Sequence, residues 1–214
     1  MATRTDPAEL PPPGALAAEY TARWDDLVGR WAARPGHTLA TLGPAGTSSA
    51  LVARRLADGH GLAVELYGSF DDVLDHLVDG TVEFALVPSA YRGLTRFHWH
   101  GGLRLQAFFS QVTPEYGIAV GDAAPMAGDG PLVVAAMWEV RHIYDEVVPA
   151  ALRGRPVEWV DAASTQRAAQ VVAEGGAELA VTNAPGVRAH GLRWLARRPG
   201  ADIIWTLFGR AEDG

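Results

Sequence analysis

Apolar residues along the chain alternate between two periodicities. Leu16, Tyr20, Trp24, Leu27 and Trp31 recur at spacings of three and four, the stripe of an amphipathic helix that ends before Pro35-Gly36. Short apolar runs follow at Leu39–Leu42, Leu62–Tyr67 and Glu83–Val87; each is closed by Gly or Pro and reads as a buried strand. Between them, Leu51, Val52 and Leu56 mark one helix, and Phe70, Val73, Leu74 and Leu77 mark the inner face of another. Ser69 is placed to cap the second of these, with Asp72 at its third position and Gly80 at its end. Leu103–Phe109 and Tyr116–Val120 are expected strands flanking Thr113-Pro114, and Asp122–Gly130 is an expected polar turn.

A second strand-helix alternation begins at Leu132–Ala135. The pattern predicts a helix from about Trp138 to Leu152, a strand at Val157–Val160, and a helix opened by Ser164-Thr165 and ended by Gly175-Gly176. The strand Glu178–Asn183 mirrors the earlier one at Glu83–Val87, and Ile203–Phe208 carries the chain back to the first half. The expectation is an α/β protein of two lobes with a cleft between them. Residues 1–35 form an arm and helix, 36–112 with 202–212 one lobe, and 113–201 the other. The two tryptophans of the first helix need a partner surface, either the chain's own body or a homodimer contact.

Thr41-Leu42-Gly43-Pro44-Ala45-Gly46-Thr47-Ser48-Ser49-Ala50 is a strand-turn-helix unit. Free N–H groups of the helix's first turn and the hydroxyls of Thr47, Ser48 and Ser49 would meet at the carboxyl end of a strand, which suits an anion. Ordinary strand-to-helix turns use the same residue types, so the decapeptide alone leaves both readings open. Ser89-Ala90-Tyr91-Arg92-Gly93 falls at a second strand end on the same edge, where open α/β sheets bind ligands.

Composition narrows the choice. Hydrophobic residues make up 48% and charged residues 20%, an ordinary globular balance. Lys and Arg number 18 against 25 Asp and Glu, a net charge of −7, which gives no support for nucleic-acid binding. There is no cysteine, so thiolate catalysis, disulfides and Cys-based metal sites are excluded. No apolar run has the form of a signal peptide or a membrane span, and a cytoplasmic location is expected. His98-Trp99-His100 would place two imidazoles on one face of a strand, but no third ligand accompanies them, and no metal or other cofactor is expected.

Leu42-Gly43-Pro44-Ala45-Gly46-Thr47 resembles the Gly-Pro-x-Gly-Thr signature of the prephenate dehydratase family. Ser69-Phe70, Val87-Pro88, Ser164-Thr165 and Gly191-Leu192 fall in that family's order, and the likeness runs from about Thr38 to Arg210. The resemblance implies a periplasmic-binding-protein-like (type II) pair of lobes of prephenate dehydratase type, here preceded by a helix. Three departures stand out. The dehydratase Ile-Glu-Asn-Ser segment is replaced by Ser89–Gly93, its Thr-Arg-Phe by Thr206-Leu207-Phe208, and its His-Pro-Gln helix start by Ala136-Met137-Trp138. With the chain ending at Gly214, feedback through an ACT domain is not expected.

These departures resemble the small prephenate decarboxylases of antibiotic pathways, of the bacilysin type. That branch shares Ala90-Tyr91-x-Gly93, Thr113-Pro114-x-Tyr116-Gly117, Thr182-Asn183 and Leu207-Phe208-Gly209. The resemblance implies loss of CO2 from prephenate without aromatisation, with proton delivery to a ring carbon. In that reading Gly43, Gly46, Thr47, Ser48 and Ser49 bind one carboxylate, with Thr182 and Asn183 facing them across the cleft. Tyr91, or a water it orders, is the candidate acid unless it is a structural tyrosine packed under its loop, and Thr206 is a partner of the alcohol or departing carboxylate; Arg141 and His142 are cleft candidates, with the surface as the alternative. Ala90, Leu207 and Phe208 line the site, with Leu207 desolvating the carboxylate; Arg92 or Arg96 replaces the lost arginine, unless both are surface residues. A drifted dehydratase and a non-catalytic module that binds small anions are the alternatives.

Overall fold

In the computed structural model, which describes residues 13–121 and 130–211, the two halves of the chain build two five-stranded sheets of one topology. Helix α1 (Pro13–Ala33) leads into β1 (Thr38–Leu42), α2 (Ser48–His60), β2 (Ala63–Tyr67), α3 (Phe70–Asp79) and β3 (Phe84–Pro88). Short α4 (Leu94–Trp99) then precedes the long edge strand β4 (Leu103–Val112). The second half runs β5 (Tyr116–Val120), β6 (Leu132–Ala136), α5 (His142–Val147), β7 (Val157–Asp161), α6 (Thr165–Ala173), β8 (Leu179–Asn183), α7 (Ala184–Ala189) and β9 (Arg193–Arg198). Strand β10 (Asp202–Arg210) returns to the first sheet.

The strand orders are β2-β1-β3-β10-β4 and β7-β6-β8-β5-β9. In each sheet the first three strands are parallel, and the fourth, β10 or β5, runs antiparallel to both its neighbours. The period-two alternation of strand side chains sorts the first lobe's core into two layers. Ala40, Leu42, Ala85, Val87 and Phe208 face α3 and α4, where Phe70, Leu74 and Phe97 pack. Leu39, Phe84, Leu86, Trp205 and Leu207 face the other way, onto Leu27 and Trp31 of α1 and Val52 and Leu56 of α2. Trp24 and Trp31 thus pack on the chain's own body, edge to face with each other at 6.1 Å.

The chain crosses between lobes twice, and the two crossings are tied together. Thr113 N–H donates to Ala201 O at 2.9 Å, and Ala201 N–H donates to the Thr113 hydroxyl at 3.0 Å. Gly200 fits this closeness because a Cβ there would stand 1.9 Å from Thr113 O.

Several elements differ from the sequence expectation. The single helix expected over Trp138–Leu152 is three pieces: a 3-10 turn at Trp138–Val140, α5, and a 3-10 turn at Ala150–Leu152. Pro149 explains the second break, since it forces Val148 out of helical geometry, here to ψ 127°. His98 and Trp99 end helix α4 rather than alternating along a strand, so the two imidazoles do not share a strand face. His98 instead packs edge-on against Phe208, their ring centres 4.9 Å apart. The turn expected at Asp122–Gly130 and the arm before Pro13 fall largely outside the described residues.

A glutamate clamps the start of the corresponding strand in both lobes, β1 and β6, each second in its sheet's order. Glu83 accepts from Thr38 N–H at 3.0 Å, and Glu178 accepts from Val133 N–H at 3.0 Å. Burial alone would raise the Glu83 carboxyl; the Thr38 N–H, His37 and Arg34 outweigh it and hold the group below its ordinary value. A depressed folded-state pKa stabilises above the unfolded value and loses that contribution as pH falls through the folded value. Glu83→Gln should therefore lower stability by about 1–2 kcal/mol at pH 7, with the gap to wild type narrowing in urea melts as the pH falls below the usual carboxylate range.

Candidate active site

A cavity of about 170 Å³ lies between the lobes. Its first-lobe wall is the turn between β1 and α2, the loop after β3, and the β10 residues Ile203 and Trp205. Its second-lobe wall is Tyr116, the Met137–Ile143 segment and the start of α6, with Thr113, Arg198, Pro199 and Ala201 of the crossings beside them. The cavity continues into an outer groove that shares Leu42, Phe70, Tyr91, Met137 and Glu139 with it and adds Arg92, Trp138 and Arg141. Tyr91 and Glu139 therefore stand where the cavity opens outward.

Thr47 caps α2: its hydroxyl accepts from Ala50 N–H at 3.1 Å and donates to Leu42 O at 2.7 Å. That hydroxyl thus donates and accepts inside the turn, which leaves the N–H groups of Ser48 and Ser49 and the Ser49 hydroxyl on the cavity side. Among the described residues the Ser49 hydroxyl has no hydrogen-bond partner. Ser48 reaches across the lobes to share a 2.6 Å hydrogen bond with the Tyr116 hydroxyl. On the facing wall Ser164 caps α6 by accepting from Arg167 N–H at 3.1 Å, and Thr165 follows it into the cavity.

Asn183 ties the turn to the second lobe. Its amide donates to Gly46 O at 3.1 Å, while its oxygen accepts from Gly186 N–H at 2.9 Å and from Gln166 at 3.2 Å. Gly46 has φ +93°, and a Cβ there would stand 2.7 Å from the Gln166 amide nitrogen, so glycine suits both the turn and the lobe contact.

Tyr91 lies against Phe70, ring centres 4.5 Å apart, and its hydroxyl reaches Asp71 at 3.4 Å. Burial, then the Asp71 charge, raise the Tyr91 phenol above its ordinary value. Burial raises the Tyr116 phenol as well, with Ser48 and Asn183 pulling the other way. Both are neutral hydrogen-bond donors at neutral pH.

The structure gathers some of the sequence-selected residues and separates others. Ser48, Ser49, Ala90 and Tyr91 line the cavity with Thr47, and Arg92 lines the outer groove. Gly43 and Gly46 shape the turn. Thr182 is fully buried and donates to Thr165 O at 2.7 Å, so its hydroxyl holds the start of α6 from behind. Asn183 is likewise wholly committed to the protein. Thr206 donates to Val87 O at 2.6 Å within the first sheet and does not line the cavity. Leu207 and Phe208, expected to line the site, are fully enclosed in opposite core layers, because successive strand residues face opposite ways. Arg96 pairs with Asp71 at the surface.

Sequence reasoning missed Glu139 and Arg198 as cavity residues; of Arg141 and His142, weighed as cleft or surface residues, His142 lines the cavity and Arg141 the outer groove. Arg198 is paired with Glu146 at 2.5 Å. The expected long helix hid Glu139, and Arg198 sits on β9, an edge strand rich in arginine for which no strand was expected. Tyr116 had a signal, its place two residues after Pro114 in a shared motif. Among the described residues no group of three or more His, Asp or Glu side chains could hold a metal ion, and no helix is long and apolar enough to cross a membrane.

Two like sheets joined by a double crossing around an interlobe cavity define a periplasmic-binding-protein-like (type II) fold of prephenate dehydratase type. Prephenate dehydratase from Arthrobacter aurescens superposes with a TM-score of 0.57 at 16% identity, over 82% of this chain and 61% of that one. A periplasmic substrate-binding protein from Coxiella burnetii superposes with a TM-score of 0.54 at 11% identity, over 81% and 84%. The chain spans less than two thirds of the dehydratase structure's length. In sequence, it is 28% identical over 185 residues to the prephenate decarboxylase of Bacillus subtilis (strain 168), covering 82% of this chain and 87% of that protein. The prephenate decarboxylase of Planktothrix agardhii is likewise 28% identical, over 78% and 85%. The likeness to prephenate decarboxylases read in the short motifs thus extends over most of the chain. No family model matches the sequence.

Removing the Asn183 amide orphans Gly46 O and Gly186 N–H together. Asn183→Ala should cost about 1–3 kcal/mol, measured as a lowered urea midpoint.

Proposed function

We propose that this chain removes the ring carboxylate of prephenate as CO2 and keeps the ring alcohol, giving dihydro-4-hydroxyphenylpyruvate. The observation that carries this reading is the 28% identity, over 82% of the chain, to a protein named prephenate decarboxylase. The setting we assign is the supply of a non-aromatic precursor for a non-proteinogenic amino acid of an antibiotic pathway.

The cavity's chemistry supports the reading. Prephenate is a dianion with an apolar ring, and the cavity pairs anion-binding groups with apolar walls. In our reading the first-turn N–H groups of α2, the free Ser49 hydroxyl and the Arg198 guanidinium hold the pyruvyl carboxylate. Leu42, Phe70, Met137, Ile143 and Trp205 enclose the ring.

In the reaction the bond between the ring and its carboxylate breaks. Carbon dioxide leaves, the electron pair stays on the ring, and a ring carbon takes a proton. Tyr91, protonated at neutral pH and placed at the mouth, supplies that proton and regains one from solvent through the outer groove. The ring carbanion is far more basic than a phenolate, so a raised phenol pKa does not block the transfer. Thr47 acts by shaping the turn, and Thr206 by tying β10 to β3.

Proton NMR of the products made from prephenate tests the reaction. Vinylic and carbinol signals without an aromatic ring are expected; phenylpyruvate formed faster than in an enzyme-free control would overturn the reading. Two variants test the roles. Ser49→Ala should raise KM about tenfold with little change in kcat, the loss of one hydrogen bond to a charge. Tyr91→Phe should lower kcat by about 10²–10⁴-fold while prephenate binding, followed by calorimetry, stays within about threefold.

A further inference from the structure

The groups called on so far are donors: backbone N–H, a hydroxyl, a guanidinium and a phenol. One acceptor of a different kind lines the same cavity. Glu139 is the only carboxylate side chain among the described cavity-lining residues. It lies on the turn after β6, between cavity and groove, and its side chain is 12% exposed. Its ion-pair partner is Arg92 of the other lobe, with Nε 3.8 Å from the carboxylate, beyond hydrogen-bond length. Among the described residues no N–H or O–H donates to it. Asp71 and Asp161 at the groove are different: they pair closely with Arg96 and Arg141, and their side chains are 61% and 86% exposed.

The Glu139 side chain is mostly covered yet its carboxylate receives no hydrogen bond from the protein, so a ligand that supplies a donor is favoured there. Prephenate carries two carboxylates, which Glu139 would repel, and one alcohol, which it would not. The alcohol is the substrate's one O–H donor at neutral pH. We propose that Glu139 accepts a hydrogen bond from the ring alcohol and thereby sets which product is made; this rests on the decarboxylase reading above.

Once the carbon–carbon bond breaks, the electron pair has two destinations. It can expel the hydroxyl from the opposite ring carbon, which aromatises the ring and requires a proton on that oxygen, so that CO2 and water leave. Or it can stay on the ring and be quenched by a proton on carbon, with CO2 alone leaving. Each route consumes one proton. A carboxylate has no proton to give the alcohol oxygen, and its charge opposes departure of hydroxide beside it. Glu139 therefore closes the aromatising route and leaves the ring carbon as the proton's destination. An amide in its place lifts the opposing charge and can hydrogen-bond the departing oxygen through its N–H while solvent in the outer groove supplies the proton that makes water, and the closed route opens.

The experiment measures the ratio of phenylpyruvate to dihydro-4-hydroxyphenylpyruvate made from prephenate by the full chain, by proton NMR. Glu139→Gln should raise that ratio at least tenfold over wild type, and Glu139→Asp should keep it near wild type. A folded Glu139→Gln protein with an unchanged ratio would overturn the proposal. So would one that makes neither product, since that would place Glu139 in bond breaking rather than in product choice. Should the Gln variant fail to fold by circular dichroism, Glu139→Leu is read the same way: without the carboxylate the ratio should still rise, and an unchanged ratio again overturns the proposal. A wild-type protein that makes phenylpyruvate sinks the decarboxylase reading itself, whereas a decarboxylating wild type beside an unchanged variant removes the role of Glu139 alone.

Discussion

Asn183 stands at the seam of the two lobes with its side chain fully buried, and its polar atoms are divided among three elements. Its oxygen closes the first turn of α7 and receives the α6 glutamine, while its nitrogen reaches the carbonyl of Gly46 in the other lobe. In an enclosed setting each of these groups must be paired, so the amide accepts one arrangement of the lobes and penalises others. The cavity walls depend on that arrangement. The Ser48–Tyr116 bond and the close approach of Gln166 to Gly46 both require the turn after β1 to sit where Asn183 holds it.

The architecture was legible in the sequence because it rests on local rules. Strands β1, β3 and β8 are short apolar runs closed by Gly, Pro or Asn, and the caps Thr47, Ser69 and Ser164 all hydrogen-bond as their positions predict. The repeated β-α-β pattern disclosed the two lobes. One failure, the break before Pro149, had a local signal in the proline itself; the other had none. The segment after β6 looks helical in composition, yet it bends to bring Glu139 and His142 into the cavity.

The candidate site was legible only in part, for a related reason. Motif residues mark where a site lies but do not say which atoms reach a ligand. Thr182, Asn183 and Thr206 stand in shared motifs, and each spends its polar groups on protein partners around the cavity. Leu207 and Phe208 are core residues whose direction follows from strand alternation. Their part is to build the wall from behind. Residues with unspent capacity, Ser49 and Glu139, are ordinary in sequence and distinctive only once burial and partners are known.

Strand β10 has a consequence for the order in which the protein takes shape. It inserts between β3 and β4, so before it is synthesised the first sheet consists of a parallel group ending at β3 and a separate strand with nothing to pair to. The second sheet has no such debt to later sequence: β5 through β9 are contiguous in the chain. On the ribosome the lobe begun second is the first that can close its sheet. The lobe begun first waits with the edges of β3 and β4 exposed, and β10, emerging after the second lobe, is the strand that seals it.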